Sequence, residues 1–125
     1  MKFLLLPALF LSLPAVAQEA SAPTWALRAG DTPYDAETLA SLPGQSFVFY
    51  DDGEAIFGSD GAYSYTYSPA NGGGTAWGSY HIATDGSVCV SFISGATRCD
   101  LYVKNRNRTI LITEDGQRFP VRQSG

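Results

Sequence analysis

Closely spaced turn signals constrain the fold of this chain of 125 residues more than any other feature. From Gln45 onward, short groups rich in Gly, Asn and Asp interrupt the sequence at intervals of about 8 to 14 residues. These groups lie at residues 51–53, 60–61, 71–74, 85–86, 94–95, 105–107 and 115–116. Such short connections have no room for crossover helices, so neighbouring strands must be antiparallel. Seven turns therefore predict eight antiparallel strands.

The segments between these turns have the composition of strands. They are rich in aromatic and β-branched residues, and they read SFVFY, EAIFG, AYSYTYS, TAWGSYHIA, SVCVSF, TRCDLYV, TILIT and RFPVR. Before them, Asp35 is placed to cap a short helix with Leu39 and Leu42 on one face, which Pro43 and Gly44 would end. The predicted fold is all-β: an eight-stranded antiparallel meander closed as a small barrel, or folded as a two-layer sandwich, with a short N-terminal helix.

The N-terminus has the pattern of a secretory signal peptide. Lys2 precedes an apolar run at residues 3–13, and Ala15-Val16-Ala17 offers a small-residue cleavage site. The apolar run is shorter than the roughly 20 residues that span a bilayer. We therefore predict a signal peptide at 1–17, a flexible leader at 18–33 and a single β domain at 34–125, in a periplasmic or secreted protein without a membrane span.

The charge of the chain disfavours nucleic acid as a partner. The formal net charge is −4, with 12 acidic residues against 8 Lys and Arg. The charges are unevenly distributed, because most acidic residues precede Gly86 and most basic residues follow it. This asymmetry either steers a charged partner or reflects ordinary solvated surfaces.

The two cysteines, Cys89 and Cys99, are expected to form a disulfide in an oxidising compartment. A three-residue loop at 93–95 places them directly opposite each other, but it also puts Val88 and Val90 on the same face as Arg98. Either a β-bulge resolves this conflict or both faces of the hairpin are partly covered. We favour a bulge.

No reaction centre is evident in the sequence. The single histidine, His81, falls inside a predicted strand, and nucleophilic catalysis needs a base beside the nucleophile. Three Cys and His residues are too few for a structural zinc site, and the acidic group at residues 51–54 lacks the spacing of a calcium loop. We therefore predict no enzyme activity, no metal and no cofactor.

Two groups of residues are candidates for contact with a ligand or partner. The first is aromatic: a row of tyrosines on one face of a strand could line an open cup for a sugar, lipid tail or aromatic compound, or could simply fill the interior. The row comprises Tyr63, Tyr65 and Tyr67, and Trp77 of the following segment completes the aromatic group. The second is a basic hairpin tip that could bind a phosphate, a lipid headgroup or an acidic protein surface, and it comprises Lys104, Arg106 and Arg108.

The segments at residues 74–78, 85–90 and 98–100 resemble short exported proteobacterial proteins of unknown function, which share a Gly-rich Trp strand and two cysteines flanking a hairpin. A fainter resemblance is to periplasmic inhibitors of c-type lysozyme, whose inhibitory loop contains a Ser-Gly-Ala stretch similar to Ser94-Gly95-Ala96. The aromatic residue that follows in those inhibitors is replaced here by Thr97 and Arg98. The first resemblance implies only fold and compartment. The second would add Arg98 as a contact residue.

The function expected from these observations is that of an exported, non-enzymatic binding or interaction domain, either a monomer or a weak dimer. Its ligand would be an unknown small molecule or protein. The alternative is a protein inhibitor of a cell-wall hydrolase of the lysozyme type.

Overall fold

The computed structural model describes residues 24–125, so the predicted signal peptide and the first part of the predicted leader lie outside the described residues. One short α-helix, one 3-10 turn at Pro69–Asn71 and nine strands form within this range. They are β1 (Asp31–Pro33), α1 (Ala36–Ala40), β2 (Ser46–Phe49), β3 (Glu54–Phe57), β4 (Ala62–Thr66), β5 (Thr75–Ile82), β6 (Val88–Phe92), β7 (Thr97–Asn105), β8 (Arg108–Thr113) and β9 (Arg118–Ser124).

Strands β2 to β9 form a closed antiparallel barrel, which confirms the predicted fold and decides between barrel and sandwich. Each of these strands pairs with its neighbour along the chain, and β2 pairs with β9 to close the ring. The eight strands coincide with the eight segments predicted from the turn spacing. Within the described residues, no helix is long and apolar enough to cross a membrane.

The helix α1 forms as predicted. The side chain of Asp35 accepts a hydrogen bond from the backbone N–H of Thr38 at 2.8 Å, which satisfies one of the free donors at the helix start. Leu39 and Leu42 are both buried in the main core. The helix precedes β2, so it lies at the end of the barrel that carries the β3–β4, β5–β6 and β7–β8 turns.

Aromatic rings fill the middle of the barrel. The ring centroid of Phe57 lies 5.0 Å from that of Tyr80 and 5.3 Å from that of Tyr63, both in edge-to-face geometry. Phe47 lies 5.5 Å from Tyr102. A deep open cup is therefore not present, because its place is taken by the core.

The hairpin of β6 and β7 contains no bulge, so that prediction was wrong. Cys89 lies directly opposite Cys99 in a regular register, and the two form a disulfide. Gly95 takes a φ of 93° in the three-residue loop, a conformation that Gly adopts without strain. The other solution applies: both faces of this hairpin are partly covered, with Val88 and Val90 buried on the inner face and Cys89 and Leu101 buried on the outer face.

A second apolar cluster covers the outer face of β7 and β8. It comprises Leu101, Val103, Ile110 and Ile112, with Trp25 packed against them. The indole N–H of Trp25 donates a hydrogen bond to Asp85 at 3.1 Å. Residues 24–33, which we call the strap, therefore lie against the barrel and extend the domain beyond its predicted start at residue 34.

The strap is anchored by β1 and by an ion pair. Asp31 pairs with Asn105 in the register of β1 with β7. The Asp31 carboxylate accepts two hydrogen bonds from the Arg118 guanidinium, at 2.8 and 2.9 Å, and its side chain is fully buried. The hydrogen bonds from Arg118 and the opposing cost of burial leave the pKa of Asp31 well below its usual range. The strap is thus an ordered part of the domain, in contrast to the predicted flexible leader.

Candidate functional site

A pocket of about 250 Å³ opens at one mouth of the barrel. This mouth lies at the end of the β2–β3, β4–β5, β6–β7 and β8–β9 turns, opposite the helix. Its apolar wall consists of Phe49, Tyr65, Tyr67, Leu111 and Phe119. Four polar side chains, Asp51, Asn71, Arg98 and Thr113, complete the lining. We call this the mouth pocket.

Arg98 points into the barrel because it lies opposite Val90, which is buried in the core. Its Nε donates to Asp100 at 2.7 Å, and its Nη2 donates to the Tyr63 hydroxyl at 3.4 Å. Its Cζ lies 5.8 Å from the centroid of the Tyr65 ring, within the range of a cation–π contact. These contacts hold the guanidinium in one place while part of it stays exposed to the pocket.

Asp100 lies behind Arg98 and does not line the pocket. Its side chain is buried, and burial raises its pKa, whereas the charge of Arg98 opposes that shift. One of its carboxylate oxygens, Oδ1, has no hydrogen-bond partner among the described residues. Asp100 nevertheless compensates the charge of Arg98. The guanidinium therefore offers hydrogen-bond donors to the pocket without a large excess of positive charge.

Gly53 makes room for Tyr65 at the rim. A Cβ at this glycine would overlap the Tyr65 hydroxyl, so only glycine lets the ring tip rest on the β2–β3 turn. The backbone N–H of Gly53 donates to Asp51 at 2.9 Å, and Asn71 donates to the other oxygen of Asp51 at 3.4 Å. Burial and the nearby charge of Asp51 raise the pKa of Tyr65. The Tyr65 hydroxyl is therefore a neutral donor at physiological pH.

The structure separates the aromatic residues singled out from the sequence. Tyr65 and Tyr67 line the mouth pocket, whereas Tyr63 belongs to the buried core and its pKa is raised by burial to about 12. Trp77 lies on the outer face of β5, opposite Ser64, with 61% of its surface exposed. The predicted aromatic group is thus divided among pocket, core and outer surface.

The basic residues are divided as well. Arg106 and Arg108 line an open groove along β8 and β9, together with Arg28 and Arg118. Lys104 does not line this groove, and its ammonium donates to the Thr109 hydroxyl at 2.7 Å. The three cations predicted at the hairpin tip therefore do not converge on one point.

Sequence reasoning missed several residues of the two sites. Asp51, Asn71, Thr113 and Phe119 in the mouth pocket, and Arg28 in the groove, were not among the candidates. The topology offered a usable signal. In any closed meander the β2–β3, β4–β5, β6–β7 and β8–β9 turns lie at one end, so residues in and beside these turns are expected to meet there. His81 faces the outside of the barrel opposite Cys89. Within residues 24–125, no three His, Cys, Asp or Glu residues are grouped as metal ligands would be.

Comparison with protein-family models, with curated proteins and with solved structures found no match. The chemistry of the mouth pocket and of the groove is therefore the basis for any assignment of function.

Proposed function

We propose that this protein is an exported, non-enzymatic binding domain that holds a neutral ring, such as one sugar unit of a glycan, in the mouth pocket. The observation that carries the proposal is the combination of aromatic rings and hydrogen-bonding side chains around one small cavity. The signal peptide predicted at residues 1–17 and the disulfide between Cys89 and Cys99 support export.

The size of the pocket favours one ring over a larger molecule. Sites for drug-sized ligands have volumes of about 300 to 1,000 Å³, and this cavity of about 250 Å³ lies just below that range. Binding of a lipid tail is disfavoured by the polar rim. Asp51, Asn71 and Arg98 would lose hydrogen bonds to water, and the tail offers none to replace them.

The polar groups favour a polyhydroxylated ring. Tyr67 and Phe119 present apolar ring surface, on which the C–H face of a sugar can pack. Arg98 supplies donors, and Asp51 supplies acceptors. Because Asp100 compensates the charge of Arg98 and Asp51 is itself negative, an anionic ligand gains less here than a neutral one.

The arrangement supports binding over hydrolysis. Most glycoside hydrolases use two carboxyl groups on either side of the scissile bond. Among the residues that line the mouth pocket, Asp51 is the one carboxylate, and Asp100 is buried behind Arg98.

The test is a titration of the isotope-labelled mature protein followed by amide NMR, with neutral disaccharides and soluble cell-wall glycan fragments as probes. We expect the amide signals of the β2–β3, β4–β5 and β8–β9 turns to shift. Tyr67→Ala should weaken binding by about ten-fold, as expected for loss of one stacking contact. Trp77→Ala is the matched control, because it removes an exposed ring that lies outside the pocket. Absence of shifts at millimolar probe, or equal weakening by both variants, would refute the proposal.

A second candidate, inhibition of a cell-wall hydrolase, is favoured by the tip of the β6–β7 hairpin. Ile93 has 85% of its surface exposed there, and its backbone N–H donates to the carbonyl of Trp77 at 2.9 Å. The disulfide at Cys89 and Cys99 holds the base of this hairpin. A rigid loop with an exposed apolar tip is suited to enter a cleft on another protein, since little conformational entropy is lost.

Inhibition assays with c-type lysozyme test this second candidate. If it holds, near-stoichiometric protein slows the enzyme, and Ile93→Asp abolishes the effect whereas Tyr67→Ala leaves it unchanged. Undiminished lysozyme activity at a large excess of protein would eliminate it.

A further inference from the structure

The groove along β8 and β9 contains four arginines from three separate parts of the chain. Arg28 comes from the strap, Arg106 and Arg108 come from the β7–β8 hairpin, and Arg118 comes from β9. Arg28 is more than 70 residues away from the others in sequence, so the fold creates this concentration of charge. The groove lies on the outer surface and shares Phe119 with the mouth pocket, whereas its arginines line the groove alone.

Three of these arginines have no carboxylate partner among residues 24–125. Arg118 is paired with Asp31, but no carboxylate oxygen of the described residues lies within 4 Å of the guanidinium nitrogens of Arg28, Arg106 or Arg108. All three are exposed. Unpaired guanidinium groups gathered around one groove produce a local positive potential, although the whole chain carries a net charge of −4.

The backbone at Arg106 gives an independent reason to assign a role to its side chain. Its φ is 54°, a left-handed conformation that Gly or Asn adopts at lower cost. An arginine in a turn position that favours Gly weakens the hairpin. Residues held in such conformations are concentrated at functional sites, including ligand sites.

We propose that this groove, the arginine groove, binds phosphate groups. A guanidinium presents paired N–H donors in a planar fork that matches phosphate oxygens, and each such bond is strengthened by charge. Three unpaired arginines match the charge of a doubly ionised phosphate or of two neighbouring phosphodiesters better than that of one carboxylate. The phosphate belongs either to a soluble compound, such as a sugar phosphate, or to the headgroup of an anionic phospholipid.

The experiment uses the mature, disulfide-bonded protein and two kinds of probe. Inorganic pyrophosphate and glucose 6-phosphate represent the soluble source, and vesicles of phosphatidylcholine with added phosphatidylglycerol represent the lipid source. Amide NMR reports soluble binding, and co-sedimentation reports vesicle binding. We expect signals of the strap and of the β7–β8 hairpin to shift, with signals of the β2–β3 and β4–β5 turns at the mouth pocket unchanged.

The variant Arg106→Gly separates binding from stability. It removes a phosphate contact and also relieves the left-handed backbone, so we expect affinity to fall by about ten-fold while the melting temperature rises or stays the same. Arg28→Gln should weaken binding to a similar degree. Lys104→Gln is the matched control, because Lys104 is a neighbouring exposed cation that does not line the groove.

The outcomes divide clearly. If the protein co-sediments with the anionic vesicles and pyrophosphate displaces it, the lipid headgroup is the source of the phosphate. If soluble phosphates bind and the vesicles do not, the source is a soluble compound. Weakening by Lys104→Gln equal to that by Arg106→Gly would show nonspecific attraction to positive charge and would overturn the proposal. Absence of any shift with millimolar soluble phosphates, together with absence of binding to the anionic vesicles, would overturn it too.

Discussion

The ion pair between Asp31 and Arg118 should dominate the attachment of the strap to the barrel. The Asp31 carboxylate accepts four hydrogen bonds: two from Arg118, one from the backbone N–H of Arg28 at 2.7 Å, and one from Asn105 at 2.8 Å. Asp31→Asn replaces one acceptor oxygen by an NH₂ group that faces donors. It also leaves the Arg118 guanidinium, whose side chain is 11% exposed, without a counter-charge.

Removing one partner of a buried ion pair costs about 3 to 5 kcal/mol. Because Arg118 retains some contact with water, we expect a loss of about 3 kcal/mol in the free energy of unfolding of Asp31→Asn. With a denaturant slope of about 1.5 kcal/mol per molar urea, the midpoint should fall by about 2 M. Urea titration followed by circular dichroism measures this shift.

The exposed ion pair of Asp52 and Arg122 provides the control. Its N–O distance is 2.7 Å, similar to that of the buried pair, but its side chains are 69% and 44% exposed. Asp52→Asn should cost less than about 1 kcal/mol, because solvent screens the exposed pair. Asn also tolerates the φ of 67° at this position. Equal losses for the two variants would refute the view that burial sets the strength of the strap anchor.

The pH dependence of the buried pair has a defined sign. The folded state lowers the pKa of Asp31 below its ordinary value of 3.8, so the stabilisation is complete above about pH 4 and is lost as the pH falls toward the folded pKa. The difference in stability between the wild type and Asp31→Asn should therefore narrow below about pH 4. A constant difference down to strongly acidic pH would contradict this explanation.

Two further predictions concern the barrel itself. Gly78→Ala should lose about 1 to 3 kcal/mol or more in urea titration, because the new methyl group would overlap the Ser91 carbonyl across β5 and β6; an unchanged midpoint would disprove this close approach. Burial raises the pKa of Tyr63 from 10.0 to about 12, so stability should fall as the pH rises from about 10 to 12, by up to about 3 kcal/mol. Urea midpoints at intermediate alkaline pH test this, and Tyr63→Phe should lose less stability over the same range.

The barrel strands were predictable because each one is set by local signals. The turns at residues 51–53, 85–86 and 115–116 separate segments that alternate inward and outward residues, and all eight predicted segments became strands. The helix was predictable for the same reason, since Asp35, Leu39 and Leu42 lie within two turns of each other.

The strap was not predictable because its stability depends on distant residues. Strand β1 has three residues and no alternating pattern, and its partners are Asn105 and Arg118. These same contacts between distant residues explain why the prediction of a bulge was wrong. The three-residue loop puts Leu101 and Val103 on the outer face of the hairpin, and Trp25 of the strap packs against them there.

The mouth pocket was predictable in part. Alternation placed Tyr65 and Tyr67 on one face, but the depth at which the core ends depends on how rings from several strands pack together. Arg98 was named from a resemblance, whereas its inward direction follows from its register with Val90. The three-residue loop at 93–95 already implies this register, since it places Val88 and Val90 on the face of Arg98.

Closure of the barrel has a consequence for the order of folding. Seven of the eight strand pairs in the ring join neighbours along the chain, but the eighth joins β2 to β9, with Phe47 opposite Ser124. The hairpins can form early and locally, whereas this last pairing requires closure of a loop that spans nearly the whole domain. Until β9 reaches β2, both strands have unpaired edges that can associate with other chains. Pairing of β9 with β2 is therefore the folding step that removes the last exposed edges of the barrel.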